Sequence, residues 1–465
     1  MTTIAAIATA PGAGGIGIVR LSGPQAKAVL SRLFLPLSSR FENFEPWRLH
    51  HGRVLDCHGE ALDDVLAVYM PGPRTFTGED MAEIQCHGGS LLVQAVLESA
   101  LRLGAVQAQR GEFSRRAFCN GRMDLSQAEA VAELIAAPSR EAVRFGLTRL
   151  DGLLGRRIRE LRADLDGLRA QMCLAVDFPE EEVESLPPAA FAAEVDRVAA
   201  AVADLLRGQR RARLMQQGAL VVLAGAVNAG KSSLMNALLG RQRALVTEIP
   251  GTTRDYIEEF CDLDGLPIRL VDTAGLRQAD DSVEELGIAL SREKLAQADA
   301  IVLMLDGHAL GEAGAAAATC PEPAAAEVLA VAGDVPLLLV WNKADLCDPA
   351  TFPPRWAGER PTLRLCARSG EGLEALAASL RRLVLAEAGE RPPDDGLAPN
   401  ARQALALERA LAELRGLHED ILAGNPYDCC AVRLDAAVSH LDEVTGSNST
   451  DEVLNSIFEQ FCIGK

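Results

Sequence analysis

Residues 219–224 (ALVVLA), 225–232 (GAVNAGKS) and 232–240 (SSLMNALLG) decide how this chain is read. An apolar run, a turn spaced G-x4-G-K-S and an apolar-periodic stretch follow one another directly. This order predicts a buried strand, a tight glycine-rich loop and a helix. The strand delivers the turn, backbone N–H groups around Ala229 and Gly230 surround phosphate oxygens, and the helix starting there adds the positive end of its dipole. Lys231 is placed to reach the β/γ-phosphates and Ser232 to ligate magnesium, with Ser233 beside it at the phosphate end. Taken alone, the pattern also fits a strand-to-helix turn that holds no nucleotide.

Two later segments argue against that alternative. Asp272-Thr273-Ala274-Gly275 follows the segment IRLV, so Asp272 stands at a strand end where it can hold magnesium through water, and Gly275 can donate its N–H to a γ-phosphate. Asn342-Lys343-Ala344-Asp345 follows the apolar run VPLLLVW. A carboxylate at that strand end accepts both N1–H and N2–H of guanine as a bidentate pair. Adenine offers no such pair of donors, so the three elements together predict a GTP hydrolase domain.

Composition is consistent with a large multidomain protein without specifying its role. The length of 465 residues suggests about three domains. No apolar run approaches the roughly 20 residues needed to span a bilayer, and MTTIAAIATA lacks the basic start of a secretion signal. Eleven cysteines are scattered without a C-x-x-C, and Cys429-Cys430 is the one vicinal pair. Neither a disulfide framework nor a zinc site is indicated, and a reducing cytoplasm fits best. The net charge of −19 disfavours a uniformly basic nucleic-acid surface. Local basic runs at 156–162 (RRIRELR) and 207–213 (RGQRRAR) read either as patches or as solvated helix faces.

The pattern changes along the chain. Residues 1–118 mix short apolar runs with glycine and proline turns, predicting an α/β domain. Residues 119–213 carry apolar residues at helical spacing, and the same kind of sequence returns at 386–465. A G domain at 214–385 is therefore inserted between two halves of a helical domain, giving a multidomain α/β protein. Within the insert, the alanine-rich stretch 309–332 reads as a surface helix and loop.

Over essentially its whole length the chain resembles the MnmE/TrmE-type tRNA modification GTPases. The resemblance is carried by APGAGGIGIVRLSG (10–23), FTGEDMAEIQCHGG (76–89), GEFSRRAFCNGRMDLSQAEAVAELI (111–135), the P-loop with Asn228, TEIPGTTRD (247–255), DTAGLR, NKAD and the terminal FCIGK (461–465). It implies addition of an aminomethyl or carboxymethylaminomethyl group to C5 of the wobble uridine of certain tRNAs. The implied partner is an FAD-containing protein of MnmG/GidA type, joined to a homodimer of this chain in a heterotetramer; FAD enters only through that partner. The one-carbon donor is a tetrahydrofolate derivative, 5-formyl or 5,10-methylene. The N-terminal domain then binds folate and dimerises, with contacts from Arg20, Glu83, Arg122 and Lys465. Arg122 stands where lysine also occurs, and a guanidinium fork is not a point charge. Read from the residues alone, Arg20 and Glu83 form a surface ion pair.

The resemblance also implies the GTPase chemistry. A potassium ion replaces an arginine finger, marked by Asn228 and completed by oxygens of Thr247, Ile249 and Thr252. Thr253 is the second magnesium ligand, and Glu248, Pro250 and Gly251 complete the nucleotide-binding segment. Leu276, directly after Gly275, cannot orient water by hydrogen bonding. Glu284 takes that role through a bridging water when two G domains meet, while Asp280, Asp281 and Glu285 form a solvated acidic turn. At the base pocket Cys366-Ala367-Arg368 stands where relatives carry Ser-Ala-Lys; the Ala367 N–H is left to bind guanine O6. Cys462 is a candidate nucleophile near the folate, although the flanks Phe461 and Ile463 suit a small buried thiol equally well.

Two other classes compete. A ribosome-assembly GTPase should carry a basic RNA-binding module after the G domain, where this chain is helical and acidic. A purely regulatory switch would bind no folate, so binding of 5-formyl-tetrahydrofolate separates it from a modification enzyme.

Overall fold

A computed structural model describes residues 2–177, 187–241, 258–263, 265–272, 293–309, 320–346, 355–386 and 397–464. By compactness the chain divides into two units. One comprises Met1–Ala132, Leu150–Asp166 and Val438–Lys465, the other Glu133–Arg149 and Gly167–Ala437. Residues 119–213 and 386–465, assigned from sequence to a single helical domain, thus fall across both units.

In the first unit seven strands form one sheet: β1 (Ile4–Ile7), β2 (Ile16–Ser22), β3 (Phe34–Pro36), β4 (His50–Leu55), β5 (Ala61–Met70), β6 (Met81–His87) and β7 (Val106–Gln107). Their order is β3-β4-β5-β6-β2-β1-β7, antiparallel throughout except for the β1/β7 pair. Side chains alternate between faces along each strand. Ala5, Val19, Leu21, Ala82 and Ile84 therefore meet Val29 and Leu30 of α1 (Ala26–Leu33) and Val93 and Leu97 of α2 (Ser90–Arg102). Ile4, Ala6 and Met81 face the other way and pack on Phe113 of α3 (Glu112–Cys119). The same alternation sets Arg20 of β2 and Glu83 of β6 on this second face, directly opposite one another in register.

Among the described residues the second unit holds a six-stranded sheet: β8 (Ala219–Gly225), β9 (Glu258–Leu263), β10 (Leu266–Asp272), β11 (Ala300–Asp306), β12 (Leu337–Asn342) and β13 (Thr362–Arg364). The order is β13-β12-β11-β8-β10-β9, parallel except for β9. Central strands covered on both faces must be apolar throughout, which explains runs such as ALVVLA and IVLML. Val221 and Leu223 point into a core with Leu234 and Leu238, while Leu220, Val222 and Ala224 point into another with Ala325 and Val328. In such a sheet the ligand site lies at the carboxyl ends of the strands. Here those ends are Gly225, Asp272, Asp306 and Asn342.

Within 309–332 a helix spans Pro323–Ala332 and buries Ala325, Val328 and Ala332 against the sheet. The stretch read as a surface helix and loop thus contains a helix here, with one face on the sheet: small alanine side chains let it lie close to β8 and β11. Outside the sheet, the helix Pro188–Arg207 and the helix Ala401–Leu422 pack along their apolar seams, Phe191, Val195, Val198 and Val202 against residues such as Leu407, Leu414 and Ile421. Asn400 and Gln403 close a capping box at the start of the second helix, with both bonds at 3.0 Å.

The basic runs are largely neutralised locally. Arg157 pairs with Glu160 at 2.9 Å, Arg159 with Asp124 at 3.1 Å, and Arg162 with both Asp166 and Asp442. In the second run Arg207 pairs with Asp204 and Arg213 with Asp299. Among the described residues no helix is long and apolar enough to cross a membrane.

Candidate functional site

The phosphate end is built from the turn after β8. Gly225 sits at φ +138, where a Cβ would stand 2.2 Å from the Met304 carbonyl oxygen, so β8 and β11 approach as closely as only glycine allows. Asn228 adopts φ +64 without being glycine, a left-handed conformation that asparagine tolerates better than most residues and that tends to mark functional turns. The helix Lys231–Arg241 begins at the end of this turn. Lys231 is 5% exposed and folds its ammonium back over the loop, donating to Gly225 O at 2.9 Å and Ala226 O at 2.8 Å. The Ser232 hydroxyl donates to Asp272 Oδ2 at 2.9 Å, bringing together two hard oxygen ligands, one from the first turn of the helix and one from the end of β10. That donor set fits magnesium, which takes one or two protein oxygens and keeps several waters.

The base end is organised by Asn342. Buried to 3% exposure, it donates through Nδ2 to Ala229 O at 2.8 Å and accepts at Oδ1 from the Ala367 N–H at 3.0 Å. One side chain thereby ties the phosphate loop to the 366–368 loop. The Ala367 N–H, assigned from sequence to guanine O6, is engaged by Asn342 in this structure. Cys366 is buried and pairs its backbone with Glu371, and Arg368 is exposed. Asp345 is exposed, and its carboxylate makes no hydrogen bond with the described residues. Two acceptor oxygens are therefore available for a base edge.

Asp306 has no counterpart in the sequence reading. Its carboxylate accepts from Lys343 Nζ at 2.5 Å and from the N–H groups of His308 and Ala309. Burial acts to raise its pKa, but the ammonium and backbone donors outweigh burial and hold it below the usual carboxylate range. Lys343 itself sits at φ +61, a strained position for a long side chain. Asp306 thus anchors the lysine of the NKAD segment. The sequence signal was only a lone aspartate at the end of an apolar run. Nearby, Glu322 keeps one carboxylate oxygen buried without a hydrogen bond. Burial and then Asp306 raise its pKa, while Lys231 pulls the other way.

In the first unit Arg20 Nε donates to Glu83 Oε1 at 2.8 Å, and the two side chains are only 19% and 17% exposed. The pair is mostly buried and lies against the C-terminal tail, since Arg20 Nη1 also donates to Gly464 O at 3.4 Å. Arg122 hydrogen-bonds neither of them; its Nε donates to Thr75 O at 3.0 Å. Cys462 is exposed, which corrects its reading as a small buried thiol: Phe461 alone takes the apolar position, at 3% exposure, against Phe458. Thr247, Glu248, Ile249, Pro250, Gly251, Thr252, Thr253, Thr273, Ala274, Gly275, Glu284 and Lys465 lie outside the described residues.

A mostly parallel sheet whose strand ends carry a phosphate loop, a Ser–Asp pair that fits magnesium and an exposed carboxylate after Asn342-Lys343 defines a P-loop GTPase. The family model described as the MnmE helical domain matches residues 125–462, and that of the GTP-binding protein TrmE N-terminus matches residues 3–122. The chain belongs to the MnmE/TrmE family. The tRNA modification GTPase MnmE of Nitratidesulfovibrio vulgaris (strain DP4) is 56% identical over 465 residues, covering 100% of this chain and 99% of that one. Its counterpart in Lawsonia intracellularis is 47% identical over 470 residues, again covering 100% and 99%. Among solved structures, Era of Aquifex aeolicus is 21% identical over 42% of this chain and 66% of that one, with a TM-score of 0.29, a likeness too slight to argue from.

Proposed function

We propose that this chain is a potassium-dependent GTP hydrolase. With an FAD-containing partner it adds an aminomethyl or carboxymethylaminomethyl group to C5 of the wobble uridine of certain tRNAs, with a folate as one-carbon donor. The observation that carries the reading is the end-to-end match to relatives named tRNA modification GTPases, at 56% identity over 465 residues. A homodimer, a cytoplasmic location and the folate contacts at Arg20, Glu83, Arg122 and Lys465 belong to the same proposal.

On GTP binding, Lys231 exchanges its two loop carbonyls for β/γ-phosphate oxygens, and the N–H groups from Ala229 to Ser232 close round the β-phosphate. Magnesium held by Ser232 and Thr253, with Asp272 acting through water, and potassium held at Asn228, Thr247, Ile249 and Thr252, would supply the positive charge that the transferring phosphoryl group requires. Asn228 is suited to this role because its left-handed backbone leaves its side chain exposed on the loop. Glu284 orients the attacking water.

Nucleoside analysis of tRNA from cells whose only copy carries Lys231→Ala tests the reading. The modified wobble uridine disappears, and a wild-type level would refute the proposed dependence on this GTPase. Exchanging sodium for potassium raises GTP turnover of the purified protein about ten-fold or more, a modest part of the ~10³–10⁵ an arginine finger supplies. Equal turnover in the two salts removes potassium from the proposal.

A further inference from the structure

The tail at 461–464 is gripped from both sides while its thiol faces solvent. Arg110 Nε donates to Phe461 O at 3.1 Å, and Arg110 and Ile463 form an antiparallel backbone bridge. The Gly111 N–H reaches Cys462 O at 3.4 Å. Gly111 lies at φ +65, and a Cβ there would stand 2.6 Å from Phe458 O, so the 109–111 turn and the end of the last helix touch backbone to backbone. On the far side Gly464, at φ +93, is pressed so closely on β1 that a Cβ would lie 2.1 Å from Ile7 O. Between these fixed points the Cys462 side chain is exposed.

The turn is braced from behind. The Gln109 N–H donates to Glu112 Oε2 at 2.8 Å, Glu112 Oε1 pairs with Arg116 Nη2 at 2.8 Å, and Arg116 Nη1 pairs with Glu79 Oε2 at 3.1 Å. The chain of contacts thus runs from Glu79 in the loop before β6, through α3, to the peptide that carries Cys462. Arg110 is itself an exposed arginine whose Nε is committed to a main-chain carbonyl.

We propose that Arg110 is a positioning residue for Cys462, fixing the tail peptide so that the thiol is presented in one orientation to the one-carbon chemistry. This rests on the proposed function, with Lys465 as a folate contact and Cys462 as the candidate nucleophile beside the folate. A thiol on a free chain end samples many orientations, whereas one held on an ordered peptide keeps most of the proximity advantage of an intramolecular group. The Gly111 and Gly464 contacts set where the tail lies; Arg20 holds it at Gly464 O, after the thiol, and Arg110 holds it at Phe461 O, the residue directly before the thiol.

The test uses the full-length protein with Arg110→Ala, Arg110→Lys and Cys462→Ser. Peptide-resolved hydrogen exchange should be several-fold faster at 461–464 in Arg110→Ala, with melting temperature and GTP turnover unchanged. Modified wobble uridine in cells carrying only that variant should fall about ten-fold. Arg110→Lys, which can still donate to Phe461 O, should recover most of both. If Arg110→Ala leaves modification at the wild-type level while Cys462→Ser abolishes it, the positioning role is overturned and the reading of the tail survives. If Cys462→Ser itself modifies normally, the reading falls and the proposal with it.

Discussion

Replacing Asp345 by Asn weakens GTP binding by about a hundred-fold and raises affinity for xanthosine triphosphate. The carboxylate stands exposed on the turn after β12 with no protein partner among the described residues, so its two oxygens are free to accept from the base. Hydrogen bonds to a charged acceptor contribute roughly 1.5–3 kcal/mol each, and losing a matched pair costs about 3 kcal/mol or more. The amide keeps one acceptor but turns an N–H₂ toward guanine's own donors. Xanthine carries a carbonyl where guanine carries its amino group, so the same amide complements it. Titration of the purified variant with GTP, ATP and xanthosine triphosphate checks the result. Unchanged GTP affinity would mean that another group reads the base.

The G domain is legible in the sequence because its chemistry is local. A strand, a glycine turn and a helix start lie within the span from β8 to Lys231, and each later motif directly follows a segment that reads as a strand. Asn342 closes β12 and Asp345 follows in the next turn, in keeping with the motif's place after an apolar run, but nothing local signals the double hydrogen bond of Asn342. It joins Ala229 to Ala367 across large separations in sequence. Asp306 escaped for a similar reason: a lone aspartate after IVLML has no pattern, and only folding shows that Lys343 lies beside it. The tail is the extreme case. Arg110 and Phe461 are 351 residues apart, and nothing in either segment signals the other.

Burial was the less legible quantity. The apolar flanks of Cys462 suit a buried thiol, yet Phe461 alone takes the inward place, and Cys462 and Ile463 are both exposed. Arg149, to which the sequence attaches no pattern, is among the largest fully buried side chains. It pairs with Glu133 and donates to Gln403 Oε1 at 2.7 Å, and Glu133 also accepts from Gln216 and Asn400. A buried charge persists only where it is paired and hydrogen-bonded. Here its partners come from the helix Leu125–Ile135 and the start of the helix Ala401–Leu422, and Glu133 is held in turn from the helix Gln209–Gln217 that leads into β8, segments no local pattern connects.

Gly230→Ala should disable the nucleotide site through geometry alone. Gly230 lies at φ +97, which an alanine rarely adopts, and forcing it there costs about 1–3 kcal/mol. A Cβ would also stand 2.0 Å from Asn342 Nδ2. The end of a side chain can normally move aside, but this one is buried and holds Ala229 O and the Ala367 N–H. Displacing it leaves those two backbone groups unpaired, a further cost of about 1–3 kcal/mol. Together the two effects amount to roughly a hundred-fold loss in nucleotide affinity if the loop yields. If the loop holds, the melting temperature falls by several degrees instead. Gly240→Ala is the control: it lies in the helix Lys231–Arg241, no atom stands within 4 Å of the added Cβ, and alanine there favours the helix by about 0.5–1 kcal/mol. Calorimetry and nucleotide titration of both variants decide the matter, and a Gly230→Ala protein with wild-type affinity and wild-type melting temperature would show that the loop has room this structure does not contain.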